Sequence, residues 1–183
     1  LRATSALASN CAALARPGRQ AGASRRRATR NQGPPRMPAF SLRAATKGDL
    51  RATFEIAEDA MRGYVEATWG RWDAEEQEYQ HRVNFDPSTY RIILVEADVA
   101  GFLAVEVLPD CLWLVKLYLR SRHRGRGIGS QVLQGVIDEA QAQGKPLHVR
   151  VLKVHTRAQA LYARHGFAIT GHGAERLVMS RGT

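Results

Sequence analysis

Residues 117–130 read LYLRSRHRGRGIGS, where an apolar segment gives way to a segment rich in glycine and arginine. The apolar part belongs to residues 111–120, the longest and most apolar run with the character of a buried β-strand. Beyond the glycines, apolar residues recur at helical spacing from Ile128 to Ala140. The sequence therefore predicts a strand, a glycine-rich loop and a helix in immediate succession.

This loop has the features of a phosphate-binding site. The first turn of a helix leaves backbone N–H groups unpaired and carries a partial positive charge, and glycines let the backbone approach an anion closely. Positive charge is added by four arginines, namely Arg120, Arg122, Arg124 and Arg126. The loop lacks the Gly-Lys-Ser/Thr of a P-loop, and its G-x-G-x-G spacing differs from the dinucleotide-binding G-x-G-x-x-G. We expect a phosphate or diphosphate ligand, and a tight turn with incidental arginines is the alternative.

Apolar periodicity predicts the elements on both sides of the loop. Strands are expected at residues 39–45, 89–96, 100–107, 111–120, 147–152, 167–170 and 176–180. Helices are expected from residue 50 to about 66, from 73 to about 83, from 128 to the stop signals Gly144 and Pro146, and over 157–164. The segment from Trp69 to Trp72 is assigned to neither of the first two helices. The order βααβββαβαββ, with a meander between helices, predicts an α/β fold with a mixed sheet.

Composition limits the classes of function. The chain has 27 basic and 17 acidic residues, but eight arginines and no acid fall in residues 1–36. Residues 37–183 are therefore nearly neutral, and nucleic acid is not an expected partner of the folded part. No run approaches the ~20 apolar residues of a membrane helix. Cys11 and Cys111 form neither a disulfide framework nor a zinc motif, which favours a cytoplasmic protein.

The N-terminal 36 residues are rich in alanine and arginine and are predicted to be a disordered tail. Two alternatives stay open: a targeting leader, because arginine and serine without acids are typical of transit peptides, or an extension upstream of a natural start at Met37. We expect residues 37–183 to form one domain.

Two motifs resemble a known family. Residues 124–129, RGRGIG, resemble the acetyl-CoA motif Q/R-x-x-G-x-G/A of the GNAT N-acetyltransferase superfamily. Residues 158–167, AQALYARHGF, resemble the A-x-x-L-Y-x-x-x-G-F helix that follows the next strand in that family. The distance between the motifs and the element order also fit, and the resemblance covers about residues 39–181.

The resemblance implies acetyl-CoA as co-substrate and no metal. The pantetheine arm would pair with the backbone of Leu117, Tyr118 and Leu119, like an added strand. The diphosphate and its neighbouring phosphate would be held by the loop residues Arg124, Gly125, Arg126, Gly127, Ile128, Gly129 and Ser130. His155 replaces an asparagine that many members carry at the start of the second-motif helix, and it could hydrogen-bond the pantetheine or act as a base.

The implied reaction is direct attack of a neutral amine on the thioester. Tyr162 matches the family tyrosine that meets the leaving thiolate, and the N–H of Leu119 is the candidate donor to the oxyanion. Two positions where members carry a glutamate base hold Arg150 and Trp113 here. Glu106 is the best remaining carboxylate, and a water-relayed proton is the alternative.

The acceptor side is expected at the first two helices. Trp69 and Trp72, with Tyr64 and Glu66 nearby, could form an aromatic wall and a carboxylate for a cationic amine; alternatively, the tryptophans only pin a loop on the core. The predicted activity is N-acetylation of a primary amine, expected on a small molecule. Alternatives are acetylation of a protein N-terminus or lysine, a non-catalytic acyl-CoA-binding module, and an RNA-associated protein that uses the tail. The acceptor's identity and the oligomeric state, including a homodimer, stay open.

Overall fold

Seven strands form one mixed sheet in the computed structural model, which describes residues 39–182. They lie in the order β1-β2-β3-β4-β5-β7-β6, and neighbouring strands are antiparallel except for the parallel pair β4 and β5. The strands are β1 (Phe40–Ala44), β2 (Tyr90–Val95), β3 (Asp98–Val107), β4 (Leu112–Leu119), β5 (Leu147–Leu152), β6 (Ala168–His172) and β7 (Arg176–Arg181). The predicted α/β class and element order are confirmed. The expectations for residues 1–36 and for a boundary at residue 37 lie outside the described residues.

The helices agree with prediction except at the end of the first. They are α1 (Leu50–Trp69), α2 (Ala74–Asn84), α3 (Ile128–Ala142) and α4 (Thr156–Arg164). The assignment of Trp69 to the connection was wrong, because α1 includes it. The helix ends only at Gly70, whose φ of 84° is left-handed and whose N–H donates to the carbonyl of Glu66 at 2.8 Å. Glycine adopts this conformation without a steric cost, which makes it the effective stop signal.

Two hydrophobic cores form on opposite faces of the sheet. The larger core packs α3, through residues such as Val132, Leu133 and Ile137, against β3, β4 and β5. The smaller core packs Ile56 of α1 against Ile92 and other residues of the neighbouring strands. Both strand faces are covered in the middle of the sheet, which explains why the central strands lack a clean alternation of apolar and polar residues.

The parallel strands β4 and β5 separate partway along their length. They pair only at Leu112 with Leu147, Trp113 with His148, and Leu114 with Val149. Immediately beyond the last pair, Val115 forms a bulge against β3, where the register shifts between Ala104 and Val105. From Val115 onward, no strand within residues 39–182 pairs with the β5-facing edge of β4. The result is a fork in the centre of the sheet that opens toward the glycine-rich loop.

Candidate active site

The loop between β4 and α3 presents unpaired backbone amides. Gly125 and Gly127 have φ angles of 75° and 81°, in the left-handed region that favours glycine. Within residues 39–182, the N–H groups of residues 125–129 have no hydrogen-bond acceptor. The N–H of Ser130, also predicted to hold phosphate, donates to the carbonyl of Gly127 at 3.1 Å. Five adjacent unpaired amides at the start of a 15-residue helix are the kind of groups to which anions bind.

Three of the four loop arginines are paired with acidic side chains. The closest nitrogen–oxygen distances are 3.6 Å for Arg120 with Glu55, 2.6 Å for Arg122 with Asp98, and 2.9 Å for Arg124 with Asp59. Arg124 Nε also donates to the carbonyl oxygen of Leu119 at 2.7 Å. Its guanidinium thus links α1, the end of β4 and the loop. This arrangement supports the shape of the loop before any ligand is considered.

Two other arginines are free to meet an anion at the loop. Arg126 forms no ion pair or hydrogen bond in the part of the chain that the structure describes. Arg157, in the first turn of α4, places its Nη2 atom 3.7 Å from where a Cβ on Gly125 would lie. Sequence reasoning missed Arg157, because its contact with the loop is made across the fork and 32 positions separate the two along the chain. The available signal in the sequence was that Arg157 lies in the first turn of a helix that follows a strand, a position where a basic side chain can meet an anion.

The end of β4 carries the three residues predicted to pair with the pantetheine arm. Leu117 and Leu119 pack against the larger core, whereas the Tyr118 ring contacts Phe102 edge-on at 5.4 Å on the other face. These side chains anchor the strand from both faces. The backbone edge that faces the fork can therefore accept an extended, amide-containing chain without rearrangement of the sheet.

Tyr162 lies on α4 with its ring buried against Phe167, at 5.6 Å between ring centroids. Burial raises the pKa of the Tyr162 phenol well above its usual range, and the nearby Tyr118 phenol raises it further. The hydroxyl is therefore protonated at all physiological pH values. It forms no hydrogen bond with any group in residues 39–182, so its proton can be donated to a ligand.

His155 precedes α4 and packs against Tyr64 of α1, with 3.7 Å between ring centroids and the rings tilted by 34°. Burial, with the charges of Arg124 and Arg157, lowers the pKa of His155 to about 4. The ring is therefore neutral at neutral pH but weakly basic. Such a weakly basic ring is poorly suited to removing a proton from an amine.

A cavity of about 410 Å³ opens beside this histidine and tyrosine. Its lining comes from one face of α1, from the loop and from the residue before His155, and comprises Asp59, Ala60, Gly63, Tyr64, Ala67, Arg124 and Val154. Most of its lining residues belong to α1.

The residues predicted to form the acceptor wall have separate partners. Tyr64 contacts His155, as described above, and Glu66 accepts a hydrogen bond from Arg62 at 3.1 Å. Trp69 is 49% exposed, and the Arg176 guanidinium lies 5.8 Å from its ring centroid. The Nε1 atom of Trp72 is buried without an acceptor among the described residues.

Glu106 lies on β3 directly opposite Trp113 of β4. Its side chain is exposed and forms no ion pair within residues 39–182.

Lys116 of β4 reaches across β3 to β2, where its Nζ atom lies 2.5 Å from the hydroxyl of Tyr90. Burial lowers the pKa of Lys116 to about 8 and raises that of Tyr90. Lys116 is thus held beneath the helices instead of extending to solvent.

Among residues 39–182 no cluster of three or more His, Cys, Asp or Glu side chains could hold a metal ion. In the same part of the chain, none of the helices combines the length and apolar character that crossing a membrane requires.

Comparisons with known proteins place the chain in one family. The model of the Acetyltransferase (GNAT) family matches residues 51–167. The L-methionine sulfoximine/L-methionine sulfone acetyltransferase of Pseudomonas aeruginosa is 32% identical over 145 residues, which cover 72% of this chain and 81% of that protein.

Two solved structures share the fold at low sequence identity. PaiA N-acetyltransferase from Thermoplasma acidophilum, in complex with coenzyme A, gives a TM-score of 0.66 at 16% identity, covering 79% of this chain and 99% of that one. An acetyltransferase from Thermus thermophilus gives 0.64 at 19% identity, covering 80% and 99%.

Proposed function

This chain belongs to the GNAT family and is an acetyl-CoA-dependent N-acetyltransferase, and from that premise we propose that its acceptor is the primary amine of a small molecule. The observation that carries the proposal is the continuity between two features. The open edge of β4 leads directly to the five unpaired amides of residues 125–129. Together they fit a ligand with an extended amide chain at one end and a diphosphate at the other.

The residues present fit coenzyme A. Its phosphates would be held by the loop amides, which have no acceptor in the described residues. They would also meet the side chains of Arg126 and Arg157, which form no ion pair there. The fork-facing backbone of Leu117 and Leu119 would pair with the amides of its arm. Bound acetyl-CoA supplies the thioester whose carbonyl carbon the acceptor amine attacks.

Tyr162 would donate a hydrogen bond to the departing sulfur. A phenol has an unperturbed pKa of about 10 against about 8.5 for a thiol, and burial raises the pKa of Tyr162 further. Complete proton transfer from Tyr162 is therefore uphill, whereas a hydrogen bond that strengthens as negative charge develops is favourable. We therefore propose that Tyr162 donates a hydrogen bond to the sulfur without transferring its proton completely.

The amine must lose a proton before or during attack. His155 is a weak candidate, because its pKa of about 4 makes it much less basic than an amine. Glu106 has an exposed carboxylate without an ion-pair partner among the described residues, near the end of β3 and opposite Trp113 of β4. We propose that the proton leaves through water, with Glu106 as the carboxylate that receives it.

A small-molecule acceptor is supported by the relative that shares 32% identity, because that protein is an L-methionine sulfoximine/L-methionine sulfone acetyltransferase. That alignment covers most of both chains, so it includes the helices that would surround the acceptor. The two solved structures are too distant in sequence to bear on the choice of acceptor.

The test is release of free thiol from acetyl-CoA by the full-length protein in the presence of single amines. The panel contains L-methionine sulfone, L-methionine sulfoximine, simple amines without a carboxylate, and peptides with a free N-terminus or lysine. We expect release with small amines and none with the N-acetylated form of the same compound, which is the matched control. Release only with peptides, or with no amine at all, would contradict the proposal.

A further inference from the structure

One face of the sheet around the fork carries an unusual set of cations. Directly paired residues project from the same face, and so do alternate residues along a strand. Lys116 of β4 pairs with Ala104 of β3. Glu106 lies two residues after Ala104 and pairs with Trp113 of β4. These side chains therefore share the face that α1 covers, opposite the α3 core.

The same reasoning extends across the fork. Trp113 pairs with His148, and Arg150 lies two residues further along β5. Arg150 pairs with Val178, two residues after Arg176 on β7. Arg150 and Arg176 thus belong to the same face as Lys116. We name this region, defined by Trp113, Lys116, His148, Arg150 and Arg176, the fork face.

The three cations of the fork face contact aromatic rings and form no ion pairs with acidic side chains of the described residues. The charged atoms lie 5.1 Å from the ring centroid of Tyr90 for Lys116, 5.0 Å from that of Trp113 for Arg150, and 5.8 Å from that of Trp69 for Arg176. None of the three forms an ion pair with an acid within residues 39–182, in contrast to Arg120, Arg122 and Arg124. A ring stabilises a cation through its face but leaves the N–H groups of a guanidinium free to donate.

The fork face therefore has a surplus of positive charge beside the place where the thioester would lie. Two carboxylates lie near it: Glu106 pairs through the backbone with Trp113, and the charge of Asp110 reaches His148, but neither forms an ion pair with any of the three cations. The charge of Arg176 also reaches Tyr118 at the end of β4, where it opposes the rise in the pKa of that phenol. An acceptor that carried only a cationic amine would meet a repulsive surface, whereas one with an added anion would meet a complementary one.

Arg150 holds the position best suited to such an anion. It is the first residue of β5 beyond the last β4–β5 pair, Leu114 with Val149, so its side chain projects where the strands separate. Its guanidinium lies over the ring of Trp113, the residue is exposed, and no group within residues 39–182 accepts a hydrogen bond from it, so two parallel N–H donors are available to a ligand. Two parallel N–H donors match the two oxygens of a carboxylate.

We infer that Arg150 binds the carboxylate of an amino-acid acceptor and thereby determines specificity for an amine that lies next to a carboxylate. The inference rests on the proposed function and names the substrate class for the same site. Lys116 and Arg176 flank this contact and raise the local positive potential. In chemical terms the acceptor is a free α-amino acid, held by its carboxylate while its amine faces the fork.

The test compares L-methionine sulfone with its carboxamide, in which the carboxylate is neutral and the amine is retained. Neutralising the carboxylate lowers the pKa of the adjacent amine, so the carboxamide has the larger neutral fraction, and a preference for the acid cannot arise from amine protonation. We expect kcat/KM for the acid to exceed that for the carboxamide by about ten-fold or more, because a charge-assisted bidentate pair contributes that much discrimination. This measurement uses the unmodified protein and needs no variant.

Variants then assign the preference to Arg150. We expect Arg150→Gln to bring the acid-to-carboxamide ratio close to one, mainly through KM for the acid, and Arg150→Lys to restore part of it. Arg51→Gln is the matched control, because the Arg51 side chain is 91% exposed on α1 and should leave the ratio unchanged. Thermal unfolding of each variant shows whether it is folded.

The outcomes separate the inference from the proposed function. Equal kcat/KM for acid and carboxamide, an unchanged ratio in Arg150→Gln, or faster turnover of peptides with acidic residues would overturn the inference while small-amine acetylation stands. Thiol release with simple amines and with neither methionine derivative would overturn it as well. No release with any amine would overturn the proposed function and the inference with it.

Discussion

At the scale of single residues, Tyr162 and the arginines of the loop differ in how they are held. Tyr162 has a buried ring and a hydroxyl without a partner among the described residues, which is unusual for a buried phenol. Arg124 is the reverse, because its Nε atom already donates to Leu119 and its Nη2 atom to Asp59. A hydroxyl without a partner on a buried ring is a feature of a ligand site, whereas a cation already bonded to the protein supports the loop.

We expect Tyr162→Phe to lower kcat for acetyl transfer by about ten-fold or more, with little change in the Kd for coenzyme A. The hydroxyl would act on charge that develops during the reaction, so its loss affects the transition state more than cofactor binding. Thiol release gives kcat, and calorimetry on the full-length protein gives the Kd. Tyr79→Phe is the control, because Tyr79 is 51% exposed on α2. An unchanged kcat in Tyr162→Phe would reject its role as a proton donor.

At the scale of elements, β4 is the strand on which the site depends. It carries the bulge at Val115, the fork begins at its midpoint, and its last three residues are predicted to pair with the cofactor. Its neighbour β3 approaches closely at Gly101, which pairs with Leu119. The absence of a side chain at Gly101 allows this approach.

A Cβ added at Gly101 would overlap the carbonyl oxygen of Tyr118 and lie 2.7 Å from Leu119 Cδ2. We therefore expect Gly101→Ala to displace the end of β4, to lower the free energy of unfolding by about 1–3 kcal/mol and to weaken binding of coenzyme A. Urea unfolding and calorimetry measure the two effects.

Gly135→Ala is the matched control for this element. A Cβ at Gly135 of α3 would have no heavy atom within 4 Å apart from its own helix, so alanine should raise the free energy of unfolding by about 0.5–1 kcal/mol through helix propensity. Binding of coenzyme A should not change. If Gly101→Ala bound coenzyme A as tightly as the unmodified protein, the end of β4 would not be part of the cofactor site.

At the scale of the whole molecule, a buried histidine links the first two helices to the sheet. His81 of α2 is only 7% exposed, and its Nε2 atom lies 2.9 Å from Thr53 Oγ1 of α1. Its ring also stacks near Phe85 and meets Tyr90 and Phe102 edge-on. Burial, followed by the charge of Lys116, lowers the pKa of His81 to about 4.

Stability should therefore fall as the solution becomes acidic. The unfolded chain binds a proton at His81 with a pKa of about 6.5, whereas the folded protein does not bind it until about pH 4. The free energy of unfolding should decrease as the pH falls from 6.5 to 4, by roughly 3 kcal/mol for this group in total. His155, whose pKa is also lowered to about 4, acts in the same direction.

Urea unfolding at pH 7, 6 and 5 measures this dependence. We expect His81→Gln to flatten it, whatever its effect on stability at pH 7, and His172→Gln to leave it unchanged, because His172 is exposed on β6. An equally steep loss of stability in His81→Gln would mean that other groups cause the acid sensitivity.

The sequence alone determined the order of elements, the strand–loop–helix unit and the family. These features are local: a strand or helix repeats its apolar residues at a characteristic spacing, and Gly125 and Gly127 adopt left-handed conformations that few other residues tolerate. Two motifs at the expected separation then identified the family. The error at Trp69 arose because aromatic residues are compatible with a helix end or a loop, and only Gly70 marks the stop.

Only the tertiary structure decided which arginines form ion pairs and which have no acidic partner among the described residues. Arg122 and Arg124 are paired with Asp98 and Asp59, which are 24 and 65 positions away in the chain. Arg157 reaches the loop, and Arg150 reaches the fork face, through the same long-range assembly. Such partnerships depend on strand register and on the packing of helices against the sheet, where many small energies are summed over distant residues. Local spacing contains none of that information, so the sequence could predict a phosphate-binding loop but not the cations that remain free to serve it.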